Sequence, residues 1–252
     1  MLLQCPISLS QASLLTILLK TAGFSTLPRF TRENLGHVFI LSQSNSARNL
    51  NMMKLHVSAN SPYARKARIV VRELALEDRV EEQTVSGLEE LKNIGPNAKI
   101  PVLITEDNVL LCESLIIVRY LNDLSGGTLL PSEQKELASC LQLESISSAL
   151  LDSIFARSLE TNQRKEDERS PKLLERERTR TKSCLDRLEA LTVDFNKEVS
   201  LGGISIVCAL GYANWRAPED AWAEGRQNLK RYYDHFMDRD AFRDTTPIFN
   251  VN

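Results

Sequence analysis

Three short runs in this 252-residue chain combine residue types that can hold a charged or nucleophilic ligand. Ser61-Pro62-Tyr63 places a hydroxyl where a helix can begin, since Ser satisfies exposed N–H groups and Pro fits the first turn. That hydroxyl either caps the helix or donates a hydrogen bond to a ligand; Tyr63 is a rival hydroxyl and Asn60 a rival donor beside it. Glu113-Ser114 precedes a strongly apolar helical run. Ser114 therefore stands where free N–H groups and the helix dipole attract an anion, and Glu113 can accept hydrogen bonds from an ammonium. The plainer reading of the pair is a helix cap. Lys99-Ile100-Pro101-Val102 sets a cation beside an X-Pro bond, the bond type to which cis geometry is essentially confined. An ordinary Pro at a strand start is the plainer reading there, and a lone Lys beside a turn is usually solvated. The five cysteines, Cys5, Cys112, Cys140, Cys184 and Cys208, form no CxxC pair, and no Cys/His cluster has zinc spacing, so no metal site is expected. They read as free thiols, mostly small core residues, which fits a reducing, cytoplasmic setting.

These runs need elements to position them. Residues 54–58 alternate polar and apolar, the period of a strand. After the loop 59–62, residues 63–76 read as a helix with Ala64, Ala67, Val71, Leu74 and Ala75 on or near one face. Residues 80–85 read as a second strand and 87–93 as a weak helix. Residues 101–105 and 109–112 read as two strands joined by the tight turn Glu106-Asp107-Asn108, where Asp and Asn tolerate positive φ. Residues 115–124 read as a helix ended by Gly126-Gly127. The order is β-α-β-α-β-β-α.

That order and punctuation resemble the thioredoxin-like N-terminal domain of the glutathione S-transferases. The resemblance rests on Ser61-Pro62-Tyr63 after the first strand, Lys99-Ile100-Pro101-Val102 before the third, and Glu113-Ser114 opening the third helix. With Arg65-Lys66 following, the first run is most similar to a bacterial branch that has serine where beta- and omega-type members have cysteine. It covers residues 53 to about 246. The fold it implies is an α/β thioredoxin-like, glutathione-binding domain over 53–130 and an all-α domain over 131–252.

The resemblance also implies roles. Glutathione carries two carboxylates, an ammonium and a thiol. The γ-glutamyl carboxylate would lie on Ser114 and its ammonium on Glu113; the glycyl carboxylate would meet Lys99. A cis Pro101 would leave the backbone of Ile100 to pair with the cysteinyl residue as an added strand does. Ser61 would donate to the sulfur. A thiol of pKa about 8.5 is largely protonated at neutral pH, and stabilising its thiolate by one unit needs roughly 1.4 kcal/mol. A charge-assisted hydrogen bond plus a helix terminus can supply that. Arg65 would add positive potential, although helix-one arginines are more often surface charges.

In the helical part, Pro131, Ser132 and Glu133 mark a linker and a helix start. Leu137, Leu141, Ile146, Leu150 and Ile154 recur at helical spacing. Residues 162–170 read as a charged connection, and Pro171 starts another helix with Leu174, Leu185, Leu188 and Leu191 as core candidates. The mixed-charge run 175–180 reads as a solvated face rather than a nucleic-acid surface. Residues 204–212 resemble the family's buried sixth helix, in which most relatives have a Ser/Thr cap with Asp three residues later; Ser205 is read as that cap, with Cys208 at the Asp position. Trp215, Tyr233 and Phe236 are expected to pack the core, in and before a last helix that also holds Leu229 and Tyr232.

Residues 1–52 differ in composition: before Arg65 the only acidic residue is Glu33, beside Lys20, Arg29, Arg32 and Arg48 and many serines. The segment reads as lying upstream of a folded protein that starts at Met53, as an organellar targeting segment, or as an ordered extension. All three keep it out of the site. With 42% hydrophobic residues, 25% charged and a net charge of −2, the whole chain is ordinary for a soluble protein and gives no sign of a nucleic-acid or membrane-surface partner. No apolar run approaches the roughly 20 residues of a membrane span. The expected function is transfer of glutathione, a cosubstrate rather than a cofactor, to a small apolar electrophile, a detoxification chemistry. No metal or organic cofactor is expected, and the family resemblance implies a homodimer. Glutathione-dependent peroxide or disulfide reduction is a variant, and a non-catalytic interaction protein on the same fold is the alternative.

Overall fold

The computed structural model describes residues 52–194 and 197–248. The extension singled out in the sequence, Met52 excepted, lies outside the described residues.

The described chain begins with β1 (Met53–Val57), α1 (Pro62–Glu73), β2 (Val80–Thr84), α2 (Leu88–Ile94), β3 (Val102–Ile104), β4 (Leu110–Cys112) and α3 (Ser114–Leu124). The expected β-α-β-α-β-β-α order is therefore present. The sheet order is β2-β1-β3-β4. β1 and β2 are parallel, and β3 runs antiparallel to both β1 and β4. The hairpin turns at Asn108, whose φ of 60° is the left-handed geometry the Asp-Asn turn anticipates. Gly127, at φ 79°, closes α3 by donating to the Asn122 carbonyl at 2.8 Å.

The helical part comprises α4 (Gln134–Gln163), α5 (Pro171–Leu191), α6 (Leu201–Arg216), α7 (Gln227–Met237) and a short α8 (Asp240–Arg243). Both parts share one core. Met53, Leu55 and Val57 of β1 meet Ile69 and Val70 of α1 and Ile117 and Leu121 of α3; the cluster continues through Leu150 and Ile154 of α4 and most of α6. Each such side chain contributes roughly 1.5–3 kcal/mol by leaving water.

Several sequence expectations change. α4 runs to Gln163, past the start of the expected connection, and Leu141 is exposed because the core face of that helix is Leu150, Leu151 and Ile154. In the charged run of α5, Glu177 is buried and held by Arg176 and Arg180, so the run is not wholly a solvated face. The cap of α6 is Ser200, which accepts from the Gly203 N–H at 3.2 Å. Ser205 lies one turn inside the helix, fully buried, and donates to Glu144. The residue three after the true cap is thus Gly203, not Cys208. The helix starts earlier than its apolar run because α6 lies against α4: a Cβ on Gly202 would stand 2.5 Å from the Cys140 carbonyl oxygen, so only glycine fits there.

Arg65, read as more often a surface charge, is the largest departure, and Lys66 beside it is buried too. Neither is a surface charge. Arg65 is 1% exposed and gives Nη2 to the Phe242 carbonyl at 2.9 Å; Lys66 is 2% exposed and gives Nζ to Glu144 Oε1 at 2.9 Å and Ser148 Oγ at 3.0 Å. Lys66 is ion-paired with Glu144, while Arg65 is held by neutral acceptors, the Phe242 carbonyl and Thr245 Oγ1, so these two residues fasten α1 between α8 and α4.

Candidate functional site

The strand register brings the three sequence runs to one end of the sheet. His56 in β1 stands beside Val102 in β3, which stands beside Cys112 in β4. β1 ends at that level and leads to Ser61. β3 begins there, just after Ile100-Pro101. β4 ends there and passes directly into Glu113-Ser114. The N-termini of α1 and α3 therefore open on the same end of the sheet, so the N–H groups that no helical turn satisfies are gathered there. Lys99 is exposed in the loop entering β3, its N–H bonded to Asn97 Oδ1 at 3.3 Å.

Ser61 is half-buried and is the N-cap of α1. Its Oγ accepts from the Ala64 N–H at 3.2 Å. That bond uses an oxygen lone pair and leaves the hydroxyl proton free to be donated outward. Ser170 does the same at the start of α5, accepting from the Leu173 N–H at 3.2 Å, again with Pro following. Capping alone therefore does not mark a site.

Ile100-Pro101 is a cis peptide. Neither backbone group of Ile100 has a hydrogen-bond partner among the described residues. Glu113 adopts φ 70° and ψ 121°, a left-handed backbone on a residue with a Cβ, of the kind that costs of order 1–3 kcal/mol and clusters at ligand sites. Its exposed side chain makes no capping bond to α3, and Ser114, buried at 7%, makes no side-chain hydrogen bond among the described residues. The simple-cap reading of this pair does not describe the geometry.

Of the two rival donors, the Tyr63 hydroxyl is occupied, whereas the bond made by Asn60 uses its acceptor oxygen and not its N–H groups. The Tyr63 hydroxyl donates to Asp152 Oδ1 at 2.5 Å, and its ring meets Phe155 edge-on at 5.8 Å. Burial, then the Asp152 carboxylate, pushes the Tyr63 hydroxyl far above its ordinary value, so it stays protonated. Asn60 Oδ1 accepts from the Ile248 N–H at 3.0 Å. Nearby, Tyr212 and Trp215 of α6 pack edge to face, and the Arg216 guanidinium lies 3.6 Å over the Trp215 ring. Asp152, Phe155 and the α6 aromatics were not singled out as site residues. They come from helices 89 or more residues from Tyr63, and nothing local in the sequence ties them to it.

Cys112, Cys184 and Cys208 are poor nucleophiles, because burial raises each thiol. Full burial pushes the Cys208 thiol up to about 11, and burial followed by the Glu113 charge raises Cys112. Among the described residues no group of His, Cys, Asp and Glu could hold a metal ion, and no helix is long and apolar enough to cross a membrane.

Residues 60–124 match the family described as "Glutathione S-transferase, N-terminal domain". Over 204 residues the chain is 28% identical to an uncharacterized GST-like protein, YibF, of Escherichia coli (strain K12), a match covering 77% of this chain and 98% of that protein. A glutathione S-transferase from Methylobacterium radiotolerans JCM 2831, solved in complex with glutathione sulfonate, is similar with a TM-score of 0.73 and 27% identity, covering 80% of this chain and 97% of that one. Another, from Methylobacillus flagellatus KT with GSH bound, has a TM-score of 0.70 and 29% identity over 78% of this chain and all of that one. These likenesses agree with the architecture described above, which is the glutathione S-transferase fold.

Proposed function

We propose that this chain, whose fold is that of the glutathione S-transferases, binds glutathione at the common end of β1, β3 and β4 and transfers it to small apolar electrophiles. The observation carrying this reading is the convergence of three features at that end: the Ser61 cap, the unpaired backbone of Ile100, and Glu113-Ser114 with the left-handed backbone of Glu113. Two of the similar structures above were solved with glutathione or its sulfonate, which supports the ligand.

In this reading the open N–H groups at the start of α3 and the Ser114 hydroxyl take the γ-glutamyl carboxylate, and Glu113 takes its ammonium. Ile100 pairs with the cysteinyl backbone beside Pro101, and Lys99 meets the glycyl carboxylate. Ser61 donates its free proton to the sulfur and favours thiolate. The thiol proton leaves to solvent; the sulfur attacks an electrophilic carbon, a carbon–sulfur bond forms, and a leaving group such as halide departs with its electron pair. Serine in place of cysteine at position 61 speaks against a route through an enzyme–glutathione disulfide and for the serine-bearing branch.

A homodimer in the cytoplasm completes the reading. Leu110, Leu115 and Ile116 are large apolar side chains left exposed around the junction of β4 and α3, and Cys112, Cys140, Cys184 and Cys208 are free.

The equivalence of Ser61 and Ser170 as caps favours a second reading, a glutathione-fold protein that binds without catalysis. Calorimetric titration with glutathione, followed by an aryl-halide conjugation assay, separates the two. Binding with conjugation is expected. No binding at millimolar glutathione would overturn the proposal, and binding without turnover would favour the second reading.

A further inference from the structure

α1 is tied from end to end by one short stretch of chain that runs antiparallel to it. At its C-terminal end, Glu73 accepts from Arg239 Nε at 3.0 Å and Nη2 at 2.6 Å. In its middle, the buried Arg65 donates to the Phe242 carbonyl at 2.9 Å and to Thr245 Oγ1 at 3.4 Å. Just before its N-terminus, Asn60 Oδ1 accepts from the Ile248 N–H at 3.0 Å. The anchoring residues 239, 242, 245 and 248 recur every three positions, while their partners step back from 73 through 65 to 60.

We propose that residues 238–248 are a splint that fixes the loop carrying Ser61, with Asn60 as a positioning residue for thiolate formation; the catalytic part of this inference rests on the glutathione reading above. The middle of the splint cannot peel away cheaply. Thr245 and Phe242 are fully buried, and separating them from Arg65 would strip two oxygen acceptors from a desolvated guanidinium. Its far end is different. Ile248 is 65% exposed, and the bond from its N–H to Asn60 is what the structure provides to hold it against the loop. That bond falls one residue before Ser61, whose own cap bond to Ala64 is 3.2 Å, the long limit for N–H···O. A hydroxyl aimed at a sulfur loses much of its effect when displaced by about 1 Å. The bond takes the oxygen of Asn60 and leaves its amide N–H groups, so a direct role is told from a positioning role by how the two changes below combine.

The test uses four proteins: the full chain, the chain ending at Pro247, the Asn60→Ala variant, and the two changes combined. Three quantities are read: kcat and KM with glutathione, the thiolate titration of bound glutathione, and hydrogen exchange of the Ala64 amide. Each single change is expected to lower kcat about threefold to tenfold, the scale of one neutral hydrogen bond. Glutathione KM should stay within about twofold, the thiolate titration should move to higher pH, and Ala64 should exchange faster. The combined protein should be no worse than either single one, because both changes remove the same bond. Two additive losses would show Asn60 acting directly and overturn its positioning role. Unchanged Ala64 exchange and titration in the shortened chain would overturn the splint. If the full chain holds glutathione only as thiol, the catalytic reading falls, and Ala64 exchange alone decides whether the splint orders the loop.

Discussion

Replacing Ser61 by alanine does two things at once, and Ser170 provides the means to separate them. Both serines cap a helix with one hydrogen bond of 3.2 Å, and both are followed by proline. Losing such a cap costs about 1 kcal/mol, within a range of about 0.5–2. In a folded unit of this size that lowers Tm by about 2–4 °C. Ser61→Ala and Ser170→Ala should therefore destabilise the protein by similar amounts in a thermal melt. Only Ser61→Ala should also remove a hydrogen bond to a thiolate, a charge-assisted bond of about 1.5–3 kcal/mol. That corresponds to a rise of about one to two units in the pKa of bound glutathione. Turnover at neutral pH should fall about tenfold or more in Ser61→Ala and stay at the parent value in Ser170→Ala. Glutathione affinity should change little in either. Equal turnover in the two variants, with equal thiolate titrations, would refute the reasoning and reduce Ser61 to a cap.

Removing Glu113 should act on binding: Glu113→Ala should weaken glutathione by about 1.5–3 kcal/mol in calorimetry, whereas Glu113→Gly should weaken it while raising the urea midpoint, because glycine adopts φ 70° without strain. Lys66→Met should destabilise by about 3–5 kcal/mol in urea, since Glu144 would be left buried without its cation, and adding Glu144→Leu should recover most of the loss. His56 has its pKa lowered mainly by burial, so the unfolded chain takes up its proton first as pH falls. Its stability contribution is complete above the ordinary value of about 6.5 and is lost below it; denaturant unfolding of His56→Phe should show a flatter stability profile in that acid range, and an unchanged slope would contradict this.

The sheet half was readable because its punctuation is local. Ser-Pro, Asp-Asn and Gly-Gly each dictate a turn or helix end through their own backbone preferences, and each sits where the structure puts that turn or end. The start of α6 was not readable for the opposite reason. Leu201, Gly202 and Gly203 have a loop-like composition, and it is the approach of α4 at the Cys140 carbonyl that makes glycine the fitting helical residue. Arg65, Lys66 and Glu177 carry charges that local pattern assigns to water; their burial depends on partners distant in the chain or on a whole packed face. Within the candidate site, the types of Ser61, Ile100, Glu113 and Ser114 were legible. The left-handed backbone of Glu113 and the bond from Tyr63 to Asp152 were not, because both are set by packing that no single segment encodes.

The central claim is that glutathione held at the end of the sheet is a thiolate at neutral pH. Its most direct test is the ultraviolet thiolate absorbance of glutathione bound to the full chain, followed against pH. A free thiol titrates near 8.5. The account predicts a midpoint at least about one unit lower, moving back toward the free value in Ser61→Ala. A parent titration that coincides with that of free glutathione would contradict it.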